Sequence, residues 1–192
     1  MDNFCMLIVG VGGQGTLTAS KILGYLANKK GFDVKVSEVH GMSQRGGSVV
    51  TYVKFGESVF SPLIEEGEAD VIIAFEALEA LRWIPYLKPN GKLIANSQKI
   101  EPMPVITGKM KYPDAPEAKL QKACPDAIII DALSIATECG NKRSVNIVLM
   151  GAASSYIPFE EAEWIDTIKN VTPSKALEAN LLAFQKGCAV IK

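Results

Sequence analysis

Gly10-Val11-Gly12-Gly13-Gln14-Gly15, near the start of this 192-residue sequence, is the segment most informative about its fold. The apolar run of residues 5–9 precedes it and apolar residues at helical spacing follow it, which predicts a strand, a glycine turn and a helix. In such a unit we expect Gly10 to make the tight turn, Gly12 to let a ligand approach, and Gly15 to let the helix pack closely. N–H groups at the helix start favour an anion, so the turn predicts a phosphate or carboxylate site.

The alternation of strands and helices continues along the chain. Gly31 ends the first helix, and Val34, Val36 and Val39 indicate a second strand that completes a right-handed βαβ unit. Residues 48–55 form a third strand without a preceding helix, so this strand should be antiparallel or offset. Later strands are predicted at residues 70–75, 92–96 and 127–130, and later helices at residues 76–87, 117–124, 132–139, 144–156, 160–170 and 174–186.

Proline and glycine mark the predicted starts and ends of these later elements. Lys88-Pro89-Asn90-Gly91 is predicted to stop a helix, Thr172-Pro173 to start the last helix, and Gly187 to end it. With no linker or repeat in between, residues 1–192 are expected to form one domain. The fold class predicted is α/β: an open, mostly parallel, Rossmann-like sheet with helices on both faces and one strand antiparallel or offset.

Composition excludes several kinds of protein. The 20 basic and 21 acidic residues give a net charge of −1, which argues against a nucleic-acid or anionic-membrane partner. Apolar runs fall short of the ~20 residues of a membrane helix, and no signal peptide is evident, so we expect a cytoplasmic protein. The four cysteines are far apart and include no C-x-x-C pair, which predicts reduced thiols and no metal site.

A second glycine-rich segment, His40-Gly41-Met42-Ser43-Gln44-Arg45-Gly46-Gly47, follows the second strand. Its hydroxyl, amide and guanidinium groups can donate hydrogen bonds from backbone that bends sharply. In a parallel sheet this loop lies at the same carboxyl edge as the first glycine turn, where ligands usually bind. We therefore expect the two loops to line one crevice.

Within this loop the side chains have alternative roles. His40, the single histidine, is a candidate general base, but a loop hydrogen bond or a subunit contact is the competing interpretation. Arg45 either clamps a phosphate or carboxylate or makes a salt bridge to a partner subunit. Ser43 and Gln44 are expected to bind a ligand, because no His-carboxylate pair is arranged to make Ser43 a nucleophile.

Several side chains outside the second loop also have two interpretations. Gln14 either contacts a bound anion or stabilises the turn, and Thr16 is a candidate helix cap. Glu76 and Glu79 begin a helix, where acidic residues favour the helix dipole whatever the chemistry. Glu38 lies where a dinucleotide site would place the acidic residue that binds the ribose.

The two glycine segments together, the second extended to Glu38 and Val49, resemble the gamma-type domain of 2-oxoacid:ferredoxin oxidoreductases. The length and layout are most similar to the beta subunit of indolepyruvate ferredoxin oxidoreductase, and the resemblance covers nearly the whole chain. It implies the oxidative decarboxylation of a 2-oxoacid to an acyl-CoA, with ferredoxin as electron acceptor. The parts that hold thiamine diphosphate, magnesium and iron–sulfur clusters are missing here and are expected in a large partner subunit.

In this interpretation the chain binds none of those cofactors alone, meets ferredoxin through the complex, and helps to bind CoA, pyrophosphate or the substrate carboxylate. An isolated preparation can self-associate as a homodimer through the surface meant for its partner. Two alternatives stay open at this point. One is a stand-alone NAD-binding oxidoreductase that uses Gly10, Gly12, Gly15 and Glu38, and the other is an interaction module that binds no small molecule.

Overall fold

A computed structural model describes residues 3–41 and 46–191 of the chain. Its six strands, in chain order, are β1 (Phe4–Val11), β2 (Asp33–His40), β3 (Ser48–Gly56), β4 (Ala69–Ala74), β5 (Leu87–Asn96) and β6 (Ile128–Ile130). The helices are α1 (Thr16–Lys29), α2 (Ala77–Trp83), α3 (Met103–Ile106), α4 (Pro116–Ala123), α5 (Ala132–Glu138), α6 (Val145–Ala153), α7 (Glu161–Val171) and α8 (Ser174–Ala189).

All six strands form one sheet in the order β2-β3-β1-β4-β5-β6. Strands β1, β4, β5 and β6 are parallel, whereas β3 runs antiparallel to both of its neighbours, β1 and β2. The predicted α/β class and the antiparallel third strand are thus confirmed. The predicted βαβ unit is wrong in one respect, because β3 lies between β1 and β2. A short connection returns β3 beside β2, and its other edge is then free to pair with β1 from Val11↔Ser48 to Phe4↔Phe55.

Helices cover both faces of the sheet, as predicted. On one face α1, α5, α6, α7 and α8 pack on inward side chains such as Ile8 and Ile73. On the other face α2 and α4 pack on side chains such as Leu7 and Ile72. Since β1 and β4 are adjacent and their following helices lie on opposite faces, a crevice opens between the carboxyl ends of these two strands. Such switch points are the usual ligand sites of open α/β sheets.

The predicted helix stop at Lys88-Pro89-Asn90-Gly91 is wrong, because this tetrapeptide lies inside β5. The helix instead ends at Trp83, and a short 3-10 turn, Ile84–Tyr86, follows it. The register with β4 jumps from Ala69↔Leu87 to Val71↔Lys92, so the tetrapeptide forms an irregularity in the strand, with Asn90 at a φ of 67°. Bulges of this kind admit proline and left-handed residues without ending a strand.

The last helix also differs from its prediction at both ends. Thr172 closes α7 and does not cap α8, whose N-cap is Pro173. Gly187 does not end α8, which continues to Ala189. A Cβ on Gly187 would overlap the carbonyl oxygen of Val148 in α6, so the residue is glycine because two helices cross there. By contrast Gly31, at a φ of 83°, ends α1 as predicted.

No helix among the described residues is long and apolar enough to span a membrane. The four cysteines are free thiols, and Cys5, Cys139 and Cys188 are buried as expected for small apolar side chains. Cys124 is partly exposed.

Candidate functional site

The first glycine turn joins β1 to α1 at the carboxyl edge of the sheet. The left-handed backbone falls on Gly13, at a φ of 102°, and on Gly15, at 91°, which is the N-cap of α1. Gly10 does not make the tight turn expected of it. It is glycine because a Cβ there would lie 2.9 Å from both Gln14 Oε1 and Phe75 Cβ. Thr16 does not cap the helix either, since its hydroxyl donates to Glu38, at 3.4 Å.

Gln14 fastens this turn across the switch point. Its Oε1 accepts a hydrogen bond from the Val11 N–H at 2.8 Å, and its Nε2 donates to the carbonyl of Phe75 at 2.9 Å. Phe75 directly follows β4, so one amide connects the ends of two adjacent parallel strands. The stabilising role predicted for Gln14 is confirmed, while a contact of Gln14 with an anion stays a prediction.

The two glycine loops meet in the structure. The Gly12 N–H donates to the Gly47 carbonyl at 2.9 Å, and the pairing His40↔Val49 places the end of β2 beside the start of β3. The first turn therefore meets Gly47 at one sheet edge, as expected. The single crevice predicted for the two loops is only partly formed, because His40 shares a cleft with the first turn whereas Gly46 and Gly47 line a separate groove beside α2. Ser43, Gln44 and Arg45 lie outside the described residues, so their predicted contacts stay predictions.

On the β2 side of the turn is a cleft of about 480 Å³. Gly12, Gly13 and Gly15 line it together with Glu38 and His40. Glu38 is already engaged, because its Oε2 accepts hydrogen bonds from Thr51 at 3.1 Å and Thr16 at 3.4 Å. His40 is exposed, and its Nδ1 lies 3.1 Å from the carbonyl oxygen of Gly41. The loop hydrogen bond considered for His40 is thus geometrically available.

On the opposite side of the same turn is a second cleft, of about 570 Å³. Gly13 and Gly15 line it too. They are faced by Asn146 of α6 and by Lys142 and Arg143 of the 3-10 turn Lys142–Ser144, which directly precedes α6. Among residues 3–41 and 46–191, neither Lys142 nor Arg143 has an ion-pair partner. The turn therefore has an acidic flank at Glu38 and a basic flank at these two residues.

This basic flank was not predicted from the sequence. Lys142 and Arg143 are about 130 residues from the turn, and only the packing of α6 against α1 brings them close. A signal was present in Asn141-Lys142-Arg143-Ser144, where two cations follow a capping residue and open a helical segment, against the usual preference for acids at that end.

Two buried carboxylates lie beside the switch point at the start of α2. Glu76 is the N-cap, and its Oε2 accepts from the Leu78 and Glu79 N–H groups at 2.7 and 2.9 Å, which confirms the predicted helix-start role. Its Oε1 accepts from the Ile100 N–H and from the Tyr112 hydroxyl. Burial, reinforced by the Glu76 carboxylate, raises the pKa of Tyr112 far above its ordinary value. Glu76 thus ties the segment between Ile100 and Tyr112 to the sheet.

Glu79 is the second of these carboxylates and is only 3% exposed. It accepts hydrogen bonds from Ser48 Oγ at 2.6 Å and from Arg82 Nη1 at 2.7 Å. Burial raises the pKa of Glu79, and the Ser48 hydrogen bond and the Arg82 charge oppose that rise. Glu79 therefore joins α2 to the first residue of β3.

Comparison with known proteins places this architecture among oxidoreductase subunits. The sequence matches the family described as pyruvate ferredoxin/flavodoxin oxidoreductase over residues 5–190. Indolepyruvate oxidoreductase subunit IorB of Thermococcus kodakarensis is 42% identical over 197 residues, which cover 100% of this chain and 98% of the relative. The common gamma subunit of the Pyrococcus abyssi pyruvate/ketoisovalerate oxidoreductases is 26% identical over 184 residues, or 92% and 93% of the two chains.

A solved structure has the same fold. The gamma subunit of a keto/oxoacid ferredoxin oxidoreductase from Geobacter sulfurreducens superposes with a TM-score of 0.71. The superposition covers 98% of each chain at 19% sequence identity. The order of strands and helices is therefore shared although most side chains differ.

Proposed function

The chain belongs to the pyruvate ferredoxin/flavodoxin oxidoreductase family, and from that premise we propose that it is the small subunit of an indolepyruvate-type 2-oxoacid:ferredoxin oxidoreductase of the cytoplasm. One observation carries the proposal. The identity to the indolepyruvate subunit is 42% over essentially the full length of both chains, against 26% for the pyruvate/ketoisovalerate subunit. We propose further that residues 1–192 act as one gamma-type domain.

The cofactors are proposed to reside in a large partner subunit. The described residues contain no group of three or more His, Cys, Asp or Glu side chains that could hold a metal ion, so this donor set does not fit an iron–sulfur cluster. In the complex, thiamine diphosphate with magnesium would supply the decarboxylation chemistry in the large subunit, and ferredoxin would receive the electrons there. The small subunit then contributes binding and positioning.

The contribution proposed for this chain is to bind the phosphate part of CoA, the co-substrate, at the first glycine turn. N–H groups at the start of the 14-residue helix α1 face a cleft whose opposite wall carries Lys142 and Arg143. A diphosphate would meet positive charge from both walls there. Ser43, Gln44, Arg45, Gly46 and Gly47 of the second loop are proposed to complete the ligand contacts, with His40 and Arg45 as candidate catalytic groups.

The geometry does not favour the stand-alone NAD-binding alternative. In a dinucleotide site the acidic residue ends the strand next to β1 and is available to the ribose. Here β3 separates β2 from β1, and the Glu38 carboxylate accepts hydrogen bonds from Thr51 and Thr16.

Anaerobic capture of the tagged full chain from its native cells tests the proposed function. We expect a large partner in stoichiometric amount, with iron and thiamine diphosphate in the eluate. The captured complex should reduce viologen when an arylpyruvate and CoA are both supplied. A solitary chain without iron or thiamine that binds NADH would overturn the proposal in favour of the dinucleotide-binding alternative.

A further inference from the structure

An apolar groove of about 350 Å³ lies at the carboxyl edge of the sheet, between α2 and the proline-rich segment that follows β5. Leu78 of α2 forms one wall, and Met103, Val105 and Met110 of that segment form the other. Met103 and Met110 are 55% and 63% exposed, which is unusual for side chains of their apolarity. Concave apolar surface of this volume is typical of small-molecule sites.

Among the residues that the structure describes, the charged side chains that line this groove are Arg82 and Lys111, both cations. One guanidinium nitrogen of Arg82 donates to Glu79, and the five-donor fork has further N–H groups that can donate to a ligand. Lys111 is exposed and has no ion-pair partner within residues 3–41 and 46–191. The groove therefore complements a molecule that combines an apolar body with an anionic group.

Buried carboxylates hold both walls in place. Glu79 fixes Arg82 and Ser48, at 2.7 and 2.6 Å, and so sets the cationic end of the groove. Glu76 binds the Ile100 N–H and the Tyr112 hydroxyl, on either side of the segment that carries the two methionines. Because these hydrogen bonds already order both walls, less entropy is lost when a ligand binds.

We propose that this groove binds an aromatic 2-oxoacid or its aromatic carboxylate analogues, with the ring against Met103, Val105 and Met110 and the carboxylate near Arg82 and Lys111. The aromatic class rests on the proposed function, whereas the preference for an apolar anion rests on the groove itself. Thioether side chains adapt to rings of different shape, so the site should accept more than one aromatic side chain.

Binding to the full chain tests the groove without any need for turnover. The probe is indole-3-propionate, which keeps an aromatic ring and a carboxylate but has no 2-oxo group to react. Calorimetry should give an affinity about tenfold higher than for tryptamine, whose ammonium group would lie near Lys111 and gain no carboxylate contact with Arg82. Equal affinities, or no binding of indole-3-propionate, would overturn the proposal.

A matched pair of variants locates the site. Lys111→Gln should weaken indole-3-propionate binding about fivefold, as expected for loss of one exposed ionic contact. Lys175→Gln, the same change at an exposed position on α8, should leave the affinity unchanged. Equal effects of the two variants would mean that the binding is not at this groove.

Turnover by the complex separates this proposal from the proposed function. In a working complex, Lys111→Gln should raise the KM for an arylpyruvate about fivefold and leave the KM for CoA unchanged. An active complex with an unchanged arylpyruvate KM, whose free small subunit binds no probe, would overturn the groove and leave the proposed function standing. A complex that oxidises no 2-oxoacid would instead overturn the function. If Lys111→Gln weakens assembly and the large subunit displaces the probe, the groove is a docking surface and the proposal is wrong.

Discussion

Two sets of glycines in this molecule serve opposite purposes. Gly151 and Gly187 lie where α6 crosses α8, and a Cβ on either would overlap backbone of the other helix. Gly13 and Gly15 lie in the turn before α1, where the backbone is left-handed, and nothing lies within 4 Å of a Cβ on Gly13. The helix crossing needs glycine for space, whereas the turn needs it for conformation. The first set should therefore control stability, and the second should control what the carboxyl edge can bind.

The largest effect is expected at the helix crossing. Gly187→Ala places a methyl group on the Val148 carbonyl, where two backbones would have to separate, and should lower the free energy of unfolding by about 3 kcal/mol. Urea denaturation of the full chain measures this loss. Gly24→Ala is the control, because Gly24 lies inside α1 and its nearest neighbour to a Cβ is Val36 Cγ2 at 4.0 Å.

For that control the helix propensity of alanine should raise stability by about 0.5 to 1 kcal/mol. Loss of stability in Gly24→Ala, or no loss in Gly187→Ala, would contradict the claim that the helix crossing needs glycine for space.

The next effect concerns the turn. Gly13→Ala forces a left-handed alanine and should cost about 1 to 2 kcal/mol of stability. Gly67→Ala is a matched control, since Gly67 has a φ of 79° and equally open surroundings, away from the glycine turn. Both variants should lose similar stability, but only Gly13→Ala should raise the KM of the complex for CoA, by about tenfold. Equal CoA kinetics in the two variants would remove the turn from the proposed CoA site.

A smaller effect should distinguish the two flanks of the turn. Arg143→Gln removes a cation from the cleft opposite Glu38 and should raise the KM for CoA about fivefold, while stability changes by no more than about 0.5 kcal/mol. Glu38→Gln should leave the KM for CoA unchanged. If Glu38→Gln raises that KM and Arg143→Gln does not, the ligand lies on the acidic flank.

The smallest effect is the pH dependence of stability due to Glu79. Burial raises its pKa above the ordinary value of 4.5, so the folded protein binds the Glu79 proton more tightly than the unfolded chain does. The stabilisation from this proton is present at low pH and is lost as pH rises from about 4.5 through the raised pKa. Glu79→Gln should abolish this loss, because the amide does not titrate. Parallel stability–pH curves for the variant and the parent protein would contradict this account.

The same distinction between space and conformation explains how far the sequence could predict the fold. The glycine turn between β1 and α1 and the left-handed cap at Gly31 are local, because the chain on either side of them already indicates what the backbone must do. The need for glycine at Gly10 is not local, because it comes from Phe75 in a distant segment. The prediction that Gly187 ends α8 was wrong, because the sequence of α8 alone cannot reveal Val148 on the neighbouring helix. The same holds for β3, whose insertion beside β1 depends on pairing between distant segments.

In the candidate site too, features set by the local chain could be predicted, whereas features set by contacts between distant segments could not. That the two glycine loops lie at one sheet edge follows from strand direction and was predicted. The single crevice expected between them is wrong for Gly46 and Gly47, which line a separate groove beside α2. Arg143, Arg82 and Lys111 were not predicted, because each reaches its cleft through packing of elements far apart in the sequence. Tyr112 bound to buried Glu76 was missed for the same reason.

The claim that this chain is the small subunit of a 2-oxoacid:ferredoxin oxidoreductase is tested most directly by reconstitution. The purified large subunit would be assayed anaerobically for CoA-dependent reduction of viologen by an arylpyruvate, with and without the full small chain. We predict that the activity requires the small chain and saturates at a fixed ratio of the two. The same rate in its absence would contradict the account.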